Sequence, residues 1–558
     1  MQDGEDLSLT RKLALIRRDA EERAAEKLAK REGYPYVDLR KTPIAIEAVK
    51  AIPEGDAKAA KIVGLQIKAR TLALAVAEPG STETKKIVEG LSAKGFTVKI
   101  LVSSAGGIEE AWHWYGFIPS EKKKITGKIE ISKEKLASLS TRLSTIQTVQ
   151  ETIAKLDFGT VATSEFLETV LGGILPNRVS DIHFEAAEGS AKLRFRIDGI
   201  LHDIFEGIPS RTYGALLSRI KLLSGLKINV RTEAQDGRFT VGMAGKEVEM
   251  RVSIIPSEFG ETVVMRVLDP DAINIELKGL GLREDNLVLV EKNLARPNGL
   301  ILNTGPTGSG KTTTLYAFLR HVNSPDVKII TVEDPIEYHL KGVSQTQVNP
   351  SVGYTFASGL RSILRQDPDV ILVGEIRDQE TADIAMQASL TGHLVFSTLH
   401  TNDAVGAVPR LIDLGVKSAT IGPALTVVIA QRLVRRLCAY CKKEAPSSKE
   451  LAAKIEAFLK HLPKRVNPEP YKPPKVYEAG GCKECNHFGY KGRIAIYEFL
   501  ETGGEFEELI LKEVSEATMK AFAETQEMIT MQQDGILKIL LGITTVKEVE
   551  ATTGPLVW

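Results

Sequence analysis

Apolar residues in the first thirty positions recur at the spacing of one helical face. The positions concerned are Leu9, Leu13, Ile16, Ala20, Ala24 and Leu28. This stripe within a charged segment predicts an amphipathic helix, and we favour its packing on its own domain over binding to a membrane surface. Short β-like runs at 62–67, 72–76 and 97–102 then alternate with helical stretches up to about residue 115. The alternation indicates a small α/β domain.

Two further changes of pattern mark the domain boundaries. From Pro119 to about Asp157 the chain is polar and lysine-rich, with a helical stretch over 133–156, which is typical of a connection between domains. Strand-like runs return at 191–197, 238–241, 247–252 and 262–267. We therefore predict an N-terminal domain over 1–118, a connection containing a helix over 119–157, a second α/β domain over 158–272 and a third domain over 273–558.

Composition adds constraints on the class of protein. Of the 558 residues, 43% are hydrophobic and 26% are charged, which is the balance of a globular protein of several domains. Lys plus Arg equals Asp plus Glu, 72 against 72, so no overall positive field is available to hold a polyanion. Because the chain shows neither a signal peptide nor a run of about 18 apolar residues, we expect a cytoplasmic protein whose membrane role is exerted through partners.

The strongest local motif is a glycine-rich loop at the start of the third domain. An apolar run over 299–304 leads into Gly305-Pro306-Thr307-Gly308-Ser309-Gly310-Lys311-Thr312, and a helix-like run begins at Thr313. Strand, loop and helix in this order form a phosphate-binding loop, in which glycines let backbone N–H groups converge on phosphates. We expect Gly305 to Thr313 to bind ATP, with Lys311 on the β and γ oxygens and the Thr312 hydroxyl on Mg²⁺.

A phosphate-binding loop needs acidic residues nearby, and two apolar runs of the sequence end in such residues. The run over 369–375 ends at Glu375, the candidate ligand of the Mg²⁺ shell. The run over 329–337 ends in Glu333, Asp334 and Glu337, one of which is suited to orient and deprotonate the attacking water. A third run, 394–399, precedes His400, for which we favour γ-phosphate sensing over a structural role. Ligands of open α/β sheets bind at this carboxyl edge of the strands.

Together these blocks resemble the secretion ATPase superfamily that drives type II secretion and type IV pilus assembly. Residues 364–378 resemble its Walker B block, 333–337 its aspartate box and 392–403 its histidine box. The resemblance implies an α/β protein with a RecA-like P-loop motor domain, preceded by two smaller α/β domains and assembled as a homohexamer. It assigns Glu337 as general base, Glu375 to the Mg²⁺ and water network, and His393 and His400 to the histidine box.

The resemblance extends upstream of the motor domain. Segments 180–185, 196–199, 235–238 and 251–253 are similar to the second, PAS-like N-terminal domain of these motors. This implies that Arg238 and Arg251 reach the γ-phosphate when the domain closes, with surface salt bridges as the alternative. Residues 34–39 resemble the adaptor domain of assembly members. Some of those members bind cyclic di-GMP through repeated arginine and glycine motifs, which we do not find in residues 1–115, so we do not expect that ligand.

The chain has four cysteines in two pairs, Cys438 with Cys441 and Cys482 with Cys485. Two Cys-x-x-Cys pairs suit a closed, structural Zn²⁺ site, and we predict a zinc-binding subdomain over 437–488; two separate redox pairs are the alternative. For the basic residues near these cysteines, three surroundings are open, namely a partner, anionic lipid or solvent, and we favour solvent. They are Arg432, Arg435, Arg436, Lys442 and Lys443.

The function that the resemblance implies is a mechanical ATPase. Hydrolysis would move an inner-membrane platform protein, together with cytoplasmic assembly proteins, and so extend a type IV pilus or a type II secretion pseudopilus; the sequence does not decide between them. The alternative is a DNA-uptake or nucleic-acid-translocating ATPase of the same superfamily, which neutral charge and the lack of aromatic-basic segments disfavour, so no nucleic-acid partner is expected. The intact Lys311, Thr312, Glu337 and Glu375 argue against a scaffold without turnover.

Overall fold

A computed structural model describes residues 3–68, 70–117, 128–129, 133–243, 245–446, 449–512 and 514–557. The chain divides into two compact units, Met1–Val267 and Leu268–Trp558. Within the described ranges, no helix has the length and apolar character needed to cross a membrane.

The first unit contains two sheets with helices around them. Its helices are α1 Asp3–Glu32, α2 Ile46–Lys50, α3 Glu54–Ala60, α4 Thr82–Ala93, α5 Ala105–Ala111, α6 Lys133–Arg142, α7 Ile146–Ala154, α8 Thr163–Gly172 and α9 Ser210–Leu223. Its strands are β1 Ile62–Lys68, β2 Thr71–Val76, β3 Thr97–Val102, β4 Lys128–Ile129, β5 Val179–Ala187, β6 Ser190–Ile197, β7 Ile200–Pro209, β8 Gln235–Met243, β9 Lys246–Ser257 and β10 Gly260–Leu268. The smaller sheet has the order β1-β2-β3 and the larger one the order β4-β8-β9-β10-β5-β6-β7.

The predicted N-terminal helix is present as α1, but its buried face differs from the predicted stripe. Ala25 and Ala29 are buried, whereas Ala20 and Ala24 are exposed; the side chains of residues 3–17 lie outside the described ones. The face is displaced because Glu22 is buried, where it accepts hydrogen bonds from the Tyr36 hydroxyl at 2.6 Å and the Ser104 hydroxyl at 2.8 Å. A satisfied carboxylate can be buried, and an apolar pattern does not reveal it.

The helical stretch predicted over 133–156 is two helices, α6 and α7. Thr145 separates them, since its hydroxyl accepts a hydrogen bond from the Thr148 N–H at 3.2 Å and so starts a new helix. Their buried side chains, Leu139, Leu143 and Val149 among them, meet the backbone at Gly172 and Gly173. Those helices are therefore part of the core, while 118–127 and 130–132 of the predicted connection lie outside the described residues. The three boundaries predicted from sequence stay predictions.

The second unit is built on one large sheet. Its helices are α10 Glu284–Leu294, α11 Lys311–Val322, α12 Phe356–Ile363, α13 Gln379–Leu390, α14 Ala407–Asp413, α15 Ser418–Ala424, α16 Lys449–Lys460, α17 Gly504–Lys512, α18 Glu516–Thr525, α19 Met531–Leu540 and α20 Val546–Thr553. Its strands are β11 Gly299–Thr304, β12 Ile329–Glu333, β13 Val343–Gln347, β14 Val370–Val373, β15 Leu394–Leu399, β16 Leu425–Leu437, β17 Lys443–Glu444, β18 Tyr477–Glu478 and β19 Tyr490–Glu501.

Seven of these strands form the sheet, in the order β13-β12-β14-β15-β11-β16-β19. Neighbours are parallel except β16 and β19. Strand β11 is covered on both faces, since Leu300 and Leu302 join one apolar cluster while Ile301 joins the other with Leu315 of α11. Strand β15 separates β11 from β14, so the strands ending at the glycine loop, at His400 and at Glu375 finish side by side at one edge of the sheet.

Candidate functional site

The glycine loop leaves β11 in a conformation that requires glycine. Gly305, Gly308 and Gly310 have φ values of 151°, 80° and 93°. A Cβ at Gly305 would lie 2.7 Å from the Gln431 carbonyl oxygen, and one at Gly310 would lie 2.9 Å from the Gln431 side-chain nitrogen. Since neither position tolerates a side chain, the loop stays thin enough for an anion to approach its backbone.

Lys311 begins helix α11 directly behind this loop. Its Nζ donates hydrogen bonds to the carbonyl oxygens of Gly305 at 2.6 Å and Pro306 at 3.1 Å. Burial lowers the pKa of Lys311 to about 8, with the Glu375 carboxylate opposing this shift and the Arg432 guanidinium adding to it. The Ser309 hydroxyl is also buried here, without a hydrogen-bond partner among the described residues. An ammonium, an unsatisfied hydroxyl and a helix N-terminus together fit a bound phosphate.

Two residues of β16 hold the loop, and sequence reasoning did not identify either role. The Gln431 amide, 1% exposed, donates to the Ser309 carbonyl at 2.7 Å and accepts from the Asn303 amide at 2.8 Å. Arg432, whose Nη1 would be 3.1 Å from a Cβ at Gly305, donates to the Asn402 carbonyl at 2.7 Å in the segment after His400. The partners lie up to 128 positions apart in the chain, so no local pattern reveals them.

The expectation that solvent faces the basic residues near the first cysteine pair is wrong for three of them. Arg432 is half-buried beside the loop, Arg435 pairs with Glu548 at 2.5 Å, and Lys442 donates to the Gly542 carbonyl at 2.8 Å. Arg436 and Lys443 are exposed as expected. The long strand β16 accounts for two of these differences, because it carries Arg432 to the edge of the sheet beside the loop and Arg435 against the C-terminal helices.

Glu375 lies just beyond β14, at the centre of a charged cluster. One carboxylate oxygen is 2.5 Å from Arg377 Nη2 and the other is 3.3 Å from His400 Nε2. The parallel pairing of β14 with β15, with Val373 opposite Ser397, brings Glu375 and His400 together. His393 lies at the amino end of β15, so the two histidines occupy opposite ends of that strand. Glu375, His400 and Lys311 therefore share the carboxyl edge of the sheet.

Of the three acids left open after β12, Asp334 is exposed and lies 3.9 Å from Arg377, and the other two have different surroundings. Glu333 is 4% exposed and accepts hydrogen bonds from Tyr316, Thr331 and Gln345. Glu337 lies farther along the loop, where its side chain is half-buried. The backbone N–H of Glu337 lies beside the Tyr316 hydroxyl, so this loop is next to the same helix that begins with Lys311. Because Glu333 is held by three donors, Glu337 is the better placed of the two to act on a water molecule.

Arg238 and Arg251 belong to the first unit and lie directly opposite each other on β8 and β9. Their strand neighbours Phe239 and Met250 point into the core, so the two arginines share the other face of the sheet. Arg238 is exposed, and Arg251 is 3.8 Å from Glu249. Their predicted action on the γ-phosphate stays a prediction.

The four cysteines converge on one point. Their sulfur atoms all lie within 4.8 Å of one another, and they form the one group of three or more potential metal ligands of this kind among the described residues. Separations are 3.8 Å between Cys438 and Cys482, and 3.7 Å from Cys485 to both Cys441 and Cys482. Four sulfurs at about 2.3 Å from a tetrahedral Zn²⁺ lie about 3.8 Å apart, so the arrangement fits a structural metal site.

The mostly parallel sheet, the glycine loop after β11 and the acids at the same edge define a P-loop ATPase of RecA-like fold. The profile of the family described as "Type II/IV secretion system protein" matches residues 157–551. The chain belongs to this family, and it is an ATP-hydrolysing enzyme.

Similar proteins cover from 69% to 97% of this chain. A type II secretion system protein E from Pseudomonas aeruginosa is 47% identical over 388 residues, which are 69% of this chain and 74% of that protein. A type IV pilus assembly ATPase PilB from Myxococcus xanthus is 36% identical over 550 residues, 97% of this chain and 93% of that protein. The ATPase DotB from Legionella pneumophila, at 22% identity, has a TM-score of 0.51 and covers 70% of this chain and 96% of its own. This last likeness supports the fold.

Proposed function

We propose that this chain is the hexameric motor that extends a type IV pilus. ATP hydrolysis in the second unit would drive an inner-membrane platform protein, at which pilin-like subunits join the filament. The observation that carries the proposal is the similarity to the Myxococcus PilB protein, which spans 97% of this chain and so includes its N-terminal part. The protein would act at the cytoplasmic face of the inner membrane, held there by the platform and by cytoplasmic assembly proteins.

Extension of a type II secretion pseudopilus is the second candidate. It is favoured by the higher identity, 47%, to the Pseudomonas type II secretion protein, although that match covers only 69% of this chain. Both candidates use the same chemistry at the nucleotide site and differ in the subunits that are moved.

We propose roles for the residues of the site, and the geometry around the glycine loop supports the first of them. Residues Gly305 to Thr313 would hold the ATP phosphates, since the loop and its lysine fit an anion. Thr312, at the start of α11, and Glu375 would hold Mg²⁺, which neutralises charge that develops on the phosphates. Glu337 would act as general base, and His400 would orient Glu375. Arg238 and Arg251 would reach the γ-phosphate from the first unit, and Zn²⁺ would bind the four cysteines.

The test is a Lys311→Ala variant introduced into the organism that carries the gene. Loss of surface pili with secretion intact would support the proposal, and loss of secreted proteins with pili intact would support the second candidate. If pili and secretion are both retained and DNA stimulates the purified ATPase, a nucleic-acid motor is favoured and both candidate functions are overturned. Light scattering of the purified chain with a non-hydrolysable ATP analogue tests the hexamer separately.

A further inference from the structure

A closed network of buried polar side chains lies between helix α11 and the loop that carries Glu337. Its members come from three elements: Tyr316 from α11, Thr331 and Glu333 from β12, and Gln345 from β13. Tyr316 and Thr331 are fully buried and Glu333 is 4% exposed. Because a buried carboxylate is costly unless it is hydrogen-bonded, the contacts of Glu333 determine whether this network is stable.

Glu333 is fully satisfied by its neighbours. One of its oxygens accepts a hydrogen bond from the Tyr316 hydroxyl at 2.5 Å. The other accepts from the Thr331 hydroxyl at 2.6 Å and from the Gln345 amide at 3.1 Å. Burial, and then the Glu333 carboxylate, raise the pKa of Tyr316, so its hydroxyl keeps the proton that it donates. Glu333 is thus an anchor with no oxygen left for substrate.

The same side chains hold the neighbouring loop. The Gln345 amide donates to the Tyr338 carbonyl at 2.9 Å and accepts from the Leu340 N–H at 2.7 Å. The Tyr316 hydroxyl lies beside the backbone N–H groups of Glu337 and Tyr338 and accepts a hydrogen bond from the Gln345 amide at 3.4 Å. The Gln345 amide therefore bonds both to Glu333 and to the loop, and the Tyr316 hydroxyl bonds both to Glu333 and to that amide, which an apolar side chain of equal size cannot do.

We propose that Tyr316 and Gln345 are positioning residues that fix Glu337 relative to the phosphate loop. Tyr316 lies five residues after Lys311 on α11, about 7.5 Å along the helix axis. One helix therefore carries both the lysine of the phosphate loop and a hydroxyl that, with Gln345, lies against the loop of the proposed base. This inference rests on the proposed role of Glu337 and adds to it a device that sets the distance between the base and the phosphates.

Removing the Tyr316 hydroxyl should reduce turnover while leaving nucleotide binding intact. The phosphate loop and Lys311 do not contact this hydroxyl, whereas a base displaced by an ångström costs up to about a hundredfold in rate. We expect Tyr316→Phe to lower kcat by about tenfold or more with KM for ATP changed by less than about twofold. Gln345→Met, which breaks the loop contacts from the β13 side, should produce the same split between kcat and KM.

Tyr497→Phe is the matched control. Tyr497 is 1% exposed, and its hydroxyl meets the same helix at Thr314 Oγ1, 3.5 Å away, and the Leu280 carbonyl at 3.3 Å. It has no hydrogen bond to the loop over 334–340 among those of the described residues. Equal loss of kcat in Tyr316→Phe and Tyr497→Phe would mean that any disturbance of α11 lowers turnover, and would overturn the proposal.

A double-mutant cycle with Glu337→Gln tests the path of the effect. If Tyr316 acts through Glu337, adding Tyr316→Phe to Glu337→Gln lowers the residual kcat by less than about twofold. If Tyr316→Phe lowers kcat by the same factor in the wild-type protein and in Glu337→Gln, the positioning role is overturned. A raised KM for ATP with unchanged kcat in Tyr316→Phe would overturn it as well. If Glu337→Gln alone hydrolyses ATP at the wild-type rate, Glu337 is not the general base, and the positioning proposal fails with it. The motor function is tested independently by Lys311→Ala in the cell.

Discussion

His400 Nε2 lies 3.3 Å from a carboxylate oxygen of Glu375, across the ends of two adjacent parallel strands. The other oxygen of Glu375 is held by Arg377 Nη2 at 2.5 Å. A carboxylate fixed at both oxygens presents a defined direction to a metal ion or a water molecule, which is the requirement for a site that acts by positioning and charge. His400 thus contacts Glu375, the acid that follows the neighbouring strand.

His400→Ala should therefore lower kcat for ATP hydrolysis by about tenfold or more while the dissociation constant of ATP changes little. The reason is that the variant frees Glu375 to turn without altering the phosphate loop. Steady-state phosphate release and equilibrium nucleotide titration measure the two quantities. His461→Ala, which changes an exposed histidine just after α16, is the control and should behave as wild type. An unchanged kcat in His400→Ala would show that His400 does not orient Glu375.

ATP affinity should depend on pH through Lys311. Its pKa is lowered from 10.5 to about 8 in the nucleotide-free protein, chiefly by burial. Since phosphates bind the charged ammonium, affinity is full below this pKa and falls above it, approaching about tenfold per pH unit. Titration with a fluorescent ATP analogue between pH 7 and 9.5 measures this.

The same titration tests the neighbour of Lys311 on β16. The Arg432 guanidinium helps to lower the pKa of Lys311, so Arg432→Gln should move the midpoint of the affinity loss to higher pH. A midpoint that stays in place or moves to lower pH would contradict the arrangement of these two cations.

The cysteine cluster should bind one Zn²⁺ per chain and stabilise the second unit. Metal analysis of the purified protein is expected to give one equivalent, and Cys485→Ser should lower the melting temperature by about 5 °C or more. Cys485 is the informative position, because its sulfur also accepts the Gly489 N–H at 3.2 Å. Protein without metal whose cysteines are found as disulfides would support the redox alternative instead.

A buried charge cluster joins the C-terminal helices to the start of α10. Asp534, which is fully buried, accepts from Arg283 at 2.6 Å, from Lys538 and from the Tyr497 N–H at 2.9 Å. Asp534→Asn leaves Lys538 without its counter-charge and Arg283 with Asp285 alone, and should cost about 3–5 kcal/mol of stability. Denaturant unfolding of the second unit measures it, with exposed Asp413→Asn as a control expected within about 0.5 kcal/mol. Equal stability of the two variants would show that the cluster is not needed.

Features that depend on neighbours in sequence could be predicted before the fold was known. The glycine loop, the strands ending at Glu375 and His400, and the two cysteine pairs are all local patterns, and the structure brings each of them to the expected place. The buried face of α1 was predicted wrongly because Glu22 is buried. Tyr36 and Ser104, which lie 14 and 82 positions away in the chain, donate hydrogen bonds to it.

Residues that act across the sheet could not be predicted in this way. Gln431 and Arg432 reach the phosphate loop and the segment after His400 only because β16 pairs with β11. Tyr316 and Gln345 meet Glu333 only because α11, β12 and β13 pack together. Strand β19 was missed for the same reason, since its antiparallel register with β16 is set by contacts far apart in the chain. Sequence indicated the reacting groups, and the packing supplied the groups that hold them.

The central claim is that ATP bound at the glycine loop is hydrolysed with the help of Glu375. Its most direct test is a single-turnover measurement on Glu375→Gln, in which bound ATP and released phosphate are followed together. The account predicts that the variant binds ATP close to the wild-type affinity and hydrolyses it at least about a hundredfold more slowly, so that intact ATP remains on the protein. Phosphate release at the wild-type rate would contradict it.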